Sequence, residues 1–112
     1  MSRLALALLA CTLSLPASLH TIAAGEPEFS LVIENNKFTP DRLEVPAGKK
    51  VKINIDNKDA TAEEFESHDL RIEKVIPAKS KGSVFVGPLK AGEYKFVGEF
   101  HEKTAKGVIV AK

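Results

Sequence analysis

The sequence predicts an all-β protein built as an antiparallel β-sandwich. Apolar and polar residues alternate over short segments, and the clearest is Val51–Asp56, where Val51, Ile53 and Ile55 face one side. Glycine and proline separate these segments, and no long helical period is present. Seven or so short strands within one small domain are typical of a sandwich.

The first 24 residues are predicted to be a secretory signal peptide, which leaves residues 25–112 as the domain. Arg3 supplies a positive start, an apolar run follows, and small residues at 21–25 allow cleavage after Ala23, Ala24 or Gly25. The apolar run is too short for a membrane span of about 20 residues. A lipoprotein-like site at Cys11 is the minor alternative. A periplasmic location is therefore expected.

Loss of this segment also changes the composition. It contains Cys11 and His20, so the mature protein is expected to have no thiol and to keep only His68 and His101 as histidines. It also contains Arg3 and no acid, so the 16 Lys+Arg become 15, equal to the 15 Asp+Glu. A net charge near zero gives no general attraction to nucleic acid or anionic lipid, and no nucleic-acid partner is expected.

The predicted elements follow in order, with turns at Gly and Pro. Pro40 lacks an N–H for a strand ladder and predicts a bend. Asn57–Glu66 shows no strand alternation and is predicted as a loop with one helical turn, and His68–Ile72 as extended chain. Pro77–Gly82 is predicted as a basic loop. The remaining predicted strands are Phe29–Ile33, Leu43–Val45, Val51–Ile55, Ser83–Val86, Gly92–Val97 and Val108–Ala111.

Two regions hold the residues that can carry chemistry. Asp56–Asp69 has six carboxylates, one lysine and His68, and Glu99–Glu102 holds His101. Each region alone is more often a solvated loop, because like charges repel one another. Together they place dense negative charge around both expected histidines, which is costly unless a cation offsets it. Loops at one end of a sandwich converge, so we expect His68 and His101 to meet.

The region from Phe29 to Lys112 resembles the cupredoxins. This resemblance implies a cupredoxin-like Greek-key β-sandwich and places His68 where blue copper proteins have their first histidine ligand. The matching segments are Phe38-Thr39-Pro40, Leu43–Gly48, Val51–Asn57, Ser67-His68-Asp69-Leu70, Gly92–His101 (against G-x-Y-x-F-x-C-x-x-H) and His101–Val108 (against H-x-x-x-M-K-G).

Two departures from the cupredoxin pattern bear on function. Gly98 stands at the position of the copper-ligating cysteine, and Ala105 at that of the axial methionine. A blue copper site needs the thiolate. The protein is therefore expected to be colourless near 600 nm (about where thiolate-to-copper charge transfer absorbs).

Oxygen ligands are predicted to replace the sulfur ligands. Glu66 precedes His68 by two residues and Glu99 precedes His101 by two, so each pair shares a side where the chain is extended. Histidine with carboxylate suits Cu(II), iron, Mn or Zn and favours the oxidised ion. The predicted metal ligands are Glu66, His68, Glu99 and His101, with a possible second site at Glu63, Glu64, Asp69 and Glu102. The alternative for the second set is that it only solvates the loop.

The paired motifs Phe65–Leu70 and Gly98–His101, followed by Lys106-Gly107, are similar to those of small periplasmic cupredoxin-like proteins of bacterial iron-permease systems. That resemblance implies copper and/or iron as bound metals and an inner-membrane iron permease, or another iron-uptake component, as partner. Copper-assisted oxidation of Fe(II) is the implied reaction. Two alternatives stay open, namely a copper or iron carrier without a redox step and a metal-free sandwich that docks on a partner.

Overall fold

The computed structural model describes residues 25–112, and the predicted signal peptide with Cys11 and His20 lies outside them. Within this range, no helix is long and apolar enough to cross a membrane. The elements are β1 (Glu28–Glu34), β2 (Lys37–Thr39), β3 (Arg42–Val45), β4 (Val51–Asn57), β5 (Glu63–Ser67), β6 (Ile72–Ile76), β7 (Lys81–Val86), β8 (Gly92–Gly98), a 3-10 helix (Glu99–His101) and β9 (Lys106–Ala111).

These strands form two sheets with the orders β2-β1-β4-β7 and β3-β9-β8-β5-β6. The predicted all-β sandwich is thus confirmed. The sheets are mixed, however, because β1 pairs with β4 and β3 with β9 in parallel, whereas the other pairs are antiparallel. Period-two alternation is the same in both kinds of pairing, so the pattern alone cannot distinguish them.

The core lies between the sheets, where the alternating residues of each strand meet. An aromatic cluster of Phe38, Phe65 and Phe96 forms its centre next to the 3-10 helix loop. Phe65 stacks on Phe96 with ring centroids 5.0 Å apart, and Phe38 contacts both rings edge-on at 6.1 and 4.9 Å. Such pairs add about 0.5–1.5 kcal/mol each beyond the area they bury.

The prediction for residues 57–66 is wrong at its end, since Glu63–Ser67 is strand β5. The sequence shows no apolar–polar alternation along β5 because polar residues occupy its buried positions. Glu63 and Ser67 face the interior beside Phe65, and Glu66 is also buried. His68–Ile72 is likewise not one extended segment. A turn at residues 68–71, closed by Arg71 N–H donating to the His68 carbonyl at 3.2 Å, precedes β6.

Two neighbouring strands position the candidate site. β5 runs antiparallel to β8, with Phe65 opposite Gly98. The first residue of β5, Glu63, therefore lies where β8 ends and the 3-10 helix begins. The following loop is closed by the Gly98 N–H donating to the Ala105 carbonyl and the Ala105 N–H donating to the His101 carbonyl, both at 2.8 Å.

Candidate metal centre

A buried carboxylate and a histidine form the centre of the site. Oε2 of Glu63 lies 2.6 Å from Nδ1 of His101. Oε1 of the same carboxylate accepts the backbone N–H of Phe100 at 2.9 Å and of Glu64 at 3.0 Å. Glu63 is 1% exposed. Burial of a carboxylate is costly unless hydrogen bonds compensate it, and here both oxygens have donors.

The carboxylate of Glu63 occupies the space that a side chain at position 98 would need. A Cβ added to Gly98 would lie 2.6 Å from Cδ of Glu63 and 2.7 Å from Cβ of Ala105. A cysteine therefore does not fit at position 98 while Glu63 keeps its place. The residues present do not match a thiolate copper site, because the carboxylate of Glu63 fills the space that a cysteine side chain at position 98 would need.

A second group of carboxylates lies on the outer face of the same sheet. Ligand oxygens of Glu64, Glu66 and Glu99 lie within 4.8 Å of one another, and no other such group of three or more occurs within residues 25–112. Glu64 and Glu66 alternate with the inward-facing Glu63 and Phe65 along β5. We call Glu64, Glu66 and Glu99 the outer carboxylate cluster.

Two members of the outer cluster, Glu64 and Glu66, have pKa values raised above that of free glutamate. Burial is the main cause that raises the pKa of Glu64, followed by a hydrogen bond with Glu99 and its charge. The hydrogen bond with Glu99 is the main cause that raises the pKa of Glu66, followed by burial. Such a group is stabilised either by a shared proton or by a cation.

His68 does not meet His101. Its side chain is 91% exposed, with Nε2 3.4 Å from Oε1 of Glu66. It follows Ser67, whose hydroxyl donates to the Lys95 carbonyl at 2.6 Å. Lys95 precedes Gly98 by three residues, about 10 Å along β8. The expected convergence of the histidines is wrong because β5 lies between them and carries them to opposite ends of the strand.

The predicted eight residues thus fall into separate places. Glu63 pairs with His101, Glu66 and Glu99 join Glu64, and His68 touches only Glu66 among them. Asp69 accepts the backbone N–H of Lys95 at 2.9 Å and so links the turn to β8. Glu102 is exposed beside His101. Whether these side chains bind metal stays a prediction.

Sequence reasoning missed the role of Glu63 as the partner of His101. The available signal was the period-two series of Glu63, Phe65 and Ser67, which places a carboxylate on the inward face with an aromatic. An inward carboxylate needs a partner with N–H groups. His68, the residue that matches the cupredoxin motif, lies just beyond the other end of β5.

Comparisons with known proteins agree with this fold. A family model described as a cupredoxin-like domain matches residues 3–111. The uncharacterised protein RP394 of Rickettsia prowazekii (strain Madrid E) is 42% identical over 83 residues, 74% of this chain and 66% of the relative. The chain therefore spans just under two thirds of that relative's length.

Three solved structures share the fold at 18% identity each. A reduced amicyanin variant gives a TM-score of 0.62 over 76% of this chain and 82% of that chain. A purple cupredoxin from Nitrosopumilus maritimus gives a TM-score of 0.59 over 75% of this chain and 99% of that chain. A copper binding protein solved by NMR in its apo form gives 0.64 over 76% and 86%. On the strength of the family match, the chain belongs to the cupredoxin-like domain family.

Proposed function

We propose that this protein is a periplasmic metal-binding protein that holds copper and/or iron through histidine and glutamate and serves iron uptake. The observation that carries the proposal is the concentration of carboxylates around the β5–β8 end of the sandwich. Glu63 contacts His101 in the interior, and the outer carboxylate cluster lies on the other face of the same strand. Glu99 belongs to the cluster and stands two residues before His101.

Copper is supported by the chemistry of His101 and by the neighbours in fold. Imidazole and carboxylate together suit Cu(II) without sulfur. Among the similar structures, one is an amicyanin with Cu(I) and another is described as a copper binding protein. Since position 98 has no room for a thiolate, copper here would take a nitrogen and oxygen environment.

Iron is supported by the outer carboxylate cluster. Three mutually repelling glutamates gain most from a cation with a preference for oxygen, and iron in both oxidation states accepts such ligands. The resemblance of Phe65–Leu70 and Gly98–His101 to proteins of iron-permease systems points to the same metal. An inner-membrane iron permease, or another iron-uptake component, is the proposed receiver.

Cu(II) held by His101 would supply a one-electron oxidant for Fe(II) bound at the outer carboxylate cluster, with Fe(III) and Cu(I) as the products. Dioxygen or another acceptor must then reoxidise Cu(I) for further turnover. In the absence of oxygen, each bound Cu(II) should therefore produce one Fe(III) and no more.

Calorimetry with the purified protein tests metal binding. Cu(II) and anaerobic Fe(II) should each bind, and the combined variant E64Q/E66Q/E99Q should lose at least tenfold in affinity for Fe(II). The matched control is Glu34→Gln, an exposed glutamate of β1 outside both groups. Absence of heat with Cu(II), Fe(II), Mn(II) and Zn(II) would leave the metal-free docking module as the better description.

Fe(III) formation by the copper-loaded protein distinguishes an oxidase from a carrier. Oxidation faster than with free copper, and abolished by His101→Ala, is the expected result. An unchanged rate with intact metal binding would instead identify a carrier without a redox step.

Sequencing of the mature N-terminus in periplasmic extracts tests the location, with a start at residue 24, 25 or 26 expected.

A further inference from the structure

The two ring nitrogens of His101 have different surroundings. Nδ1 lies 2.6 Å from the buried Oε2 of Glu63. Nε2 has no hydrogen-bond partner within residues 25–112. In the same range every buried side-chain nitrogen or oxygen has a partner, so Nε2 is not buried. Since the side chain of His101 is 27% exposed, Nε2 is the nitrogen that reaches solvent.

The hydrogen bonds of Glu63 determine which nitrogen carries the proton. Its Oε1 already accepts two backbone N–H groups, from Glu64 and Phe100. Oε2 then needs a donor, and Nδ1–H of His101 is the group in place. With the hydrogen on Nδ1, the lone pair of the neutral ring is on Nε2.

The interior side of His101 has no space for a metal ion. Two ligand atoms that share one ion, each about 2.0–2.1 Å from it, lie roughly 2.9 Å apart at a right angle. The 2.6 Å separation of Nδ1 and Oε2 is shorter and is that of a charge-assisted hydrogen bond. Gly98 and Ala105 close the remaining space, as the short distances to an added Cβ show.

We propose that His101 binds its metal ion through Nε2, in a surface recess, and that Glu63 is a buried positioning residue and not a ligand. The inference rests on the proposed metal-binding function. The recess has a volume of about 440 Å³ and is lined by Glu99, Phe100, His101, Glu102, Lys103 and Thr104. Glu99 and Glu102 supply its carboxylates, the ligands that a divalent ion accepting imidazole and oxygen, such as Cu(II) or Zn(II), would need beside Nε2. Their oxygens and the His101 ring nitrogens do not form a group within 4.8 Å, so both carboxylates would have to turn toward the ion.

This arrangement moves the metal outward relative to a site built on a residue at position 98. A carboxylate that accepts the second N–H of a ligating histidine orients the ring and raises its basicity. Glu63 provides that support from the interior, where both of its oxygens are held by hydrogen bonds. The metal itself lies on the solvent side, where it can be loaded and released.

Nitrogen-15 NMR of the full mature protein tests the inference, with Zn(II) as a diamagnetic probe. In the metal-free protein at a pH where His101 is neutral, the Nδ1–H signal should be present. Zn(II) should then shift the Nε2 resonance of His101 and leave Nδ1–H in place. Loss of Nδ1–H with a shift of Nδ1 would overturn the inference and leave metal binding intact. If Zn(II) and Cu(II) move neither nitrogen, both the inference and the His101 part of the proposed function are wrong.

Glu63→Gln provides a second test. The amide has the same shape as the carboxylate, but its NH₂ group cannot accept a hydrogen bond from the N–H groups around it. The Nδ1–H tautomer of His101 therefore loses the acceptor that stabilises it. We expect Zn(II) affinity to fall about 10–100-fold, the range found for partners of ligating histidines. The control Glu34→Gln should bind Zn(II) as the wild type does. If the folded Glu63→Gln variant keeps both the Nδ1–H tautomer and the Zn(II) affinity of the wild type, Glu63 has no positioning role.

Discussion

At the scale of single residues, Gly98 and Glu63 depend on each other. The carboxylate of Glu63 is the far end of a flexible chain, but three N–H groups hold it in place. It therefore cannot move aside freely for a side chain at position 98. Glycine is required there by close approach, since its backbone is in an ordinary extended conformation.

Gly98→Ala should lower the free energy of unfolding by about 1–3 kcal/mol, the usual cost of overpacking. The new methyl group would meet Cδ of Glu63 at 2.6 Å. In a Glu63→Ala background the same substitution should cost less, by roughly 0.5–3 kcal/mol as is common for contacting residues. Urea denaturation of the four proteins measures this, and equal costs in both backgrounds would contradict the contact.

The outer carboxylate cluster should make stability depend on pH. Glu64 and Glu66 have pKa values raised above the ordinary 4.5. The native state then binds protons more tightly than the unfolded state, so metal-free protein should become less stable as the pH rises from 4.5 through the raised values. Glu99→Gln should flatten this dependence, because Glu99 contributes to both shifts.

The pH experiment compares thermal unfolding of wild type and Glu99→Gln at several pH values in the presence of a chelator. Glu44 contributes with the opposite sign, since a hydrogen bond with Lys112 lowers its pKa below 4.5. Its effect is the same in both proteins and cancels in their difference. A difference that does not change with pH would show that Glu99 is not coupled to its neighbours.

At the scale of elements, β5 joins the two parts of the site. Its inward side carries Glu63 and Phe65, and its outward side carries Glu64 and Glu66. The strand is held in register by β6 on one side and β8 on the other. A shift of one residue would exchange the two faces and put the outer carboxylates into the core.

Phe65→Ala should destabilise the domain by about 3–5 kcal/mol, because it removes a fully buried ring between Phe38 and Phe96. Phe85→Ala is the matched control. Phe85 is 49% exposed on β7 in the other sheet, with Nζ of Lys50 4.8 Å from its ring centroid, so its loss should cost less than about 1 kcal/mol. Denaturant unfolding measures both, and similar losses would contradict the position assigned to β5.

At the scale of the whole molecule, the sandwich brings three strands together at one end. β5 begins there, β8 ends there and β9 leaves from it, with the loop of the 3-10 helix between the last two. Position 63, and not position 68, therefore lies beside positions 98 and 101.

The double variant E63H/G98C should acquire a blue copper site. It would place two imidazoles and a thiolate at positions 63, 98 and 101, the trigonal set of such sites, and should absorb intensely near about 600 nm with Cu(II). Gly98→Cys alone retains His68 and His101 but should stay colourless, since His68 follows Ser67, whose hydroxyl donates to the carbonyl of Lys95, three residues before position 98. An intense band from Gly98→Cys alone would mean that His68 is the first ligand after all.

Much of the fold was predictable because strands with one buried face leave a period-two pattern. Val51, Ile53 and Ile55 show this pattern, and β4 is found there. β5 was not recognised because charged residues occupy both of its faces. At its buried positions, hydrogen-bond partners compensate for the burial of polar side chains, so the residues there need not be hydrophobic. The parallel pairs were missed because strand neighbours on a sheet are distant in the sequence.

The composition of residues 25–112 limits the ligands that they can offer, because this range contains histidines and carboxylates but neither cysteine nor methionine. Which carboxylate meets His101 depends instead on how the strands pair. The pairing of β5 with β8 brings Glu63 to His101 and carries His68 away, although both residues stand in the same acidic segment. The physical reason is that a strand of five residues separates its two ends by more than a metal ion can bridge.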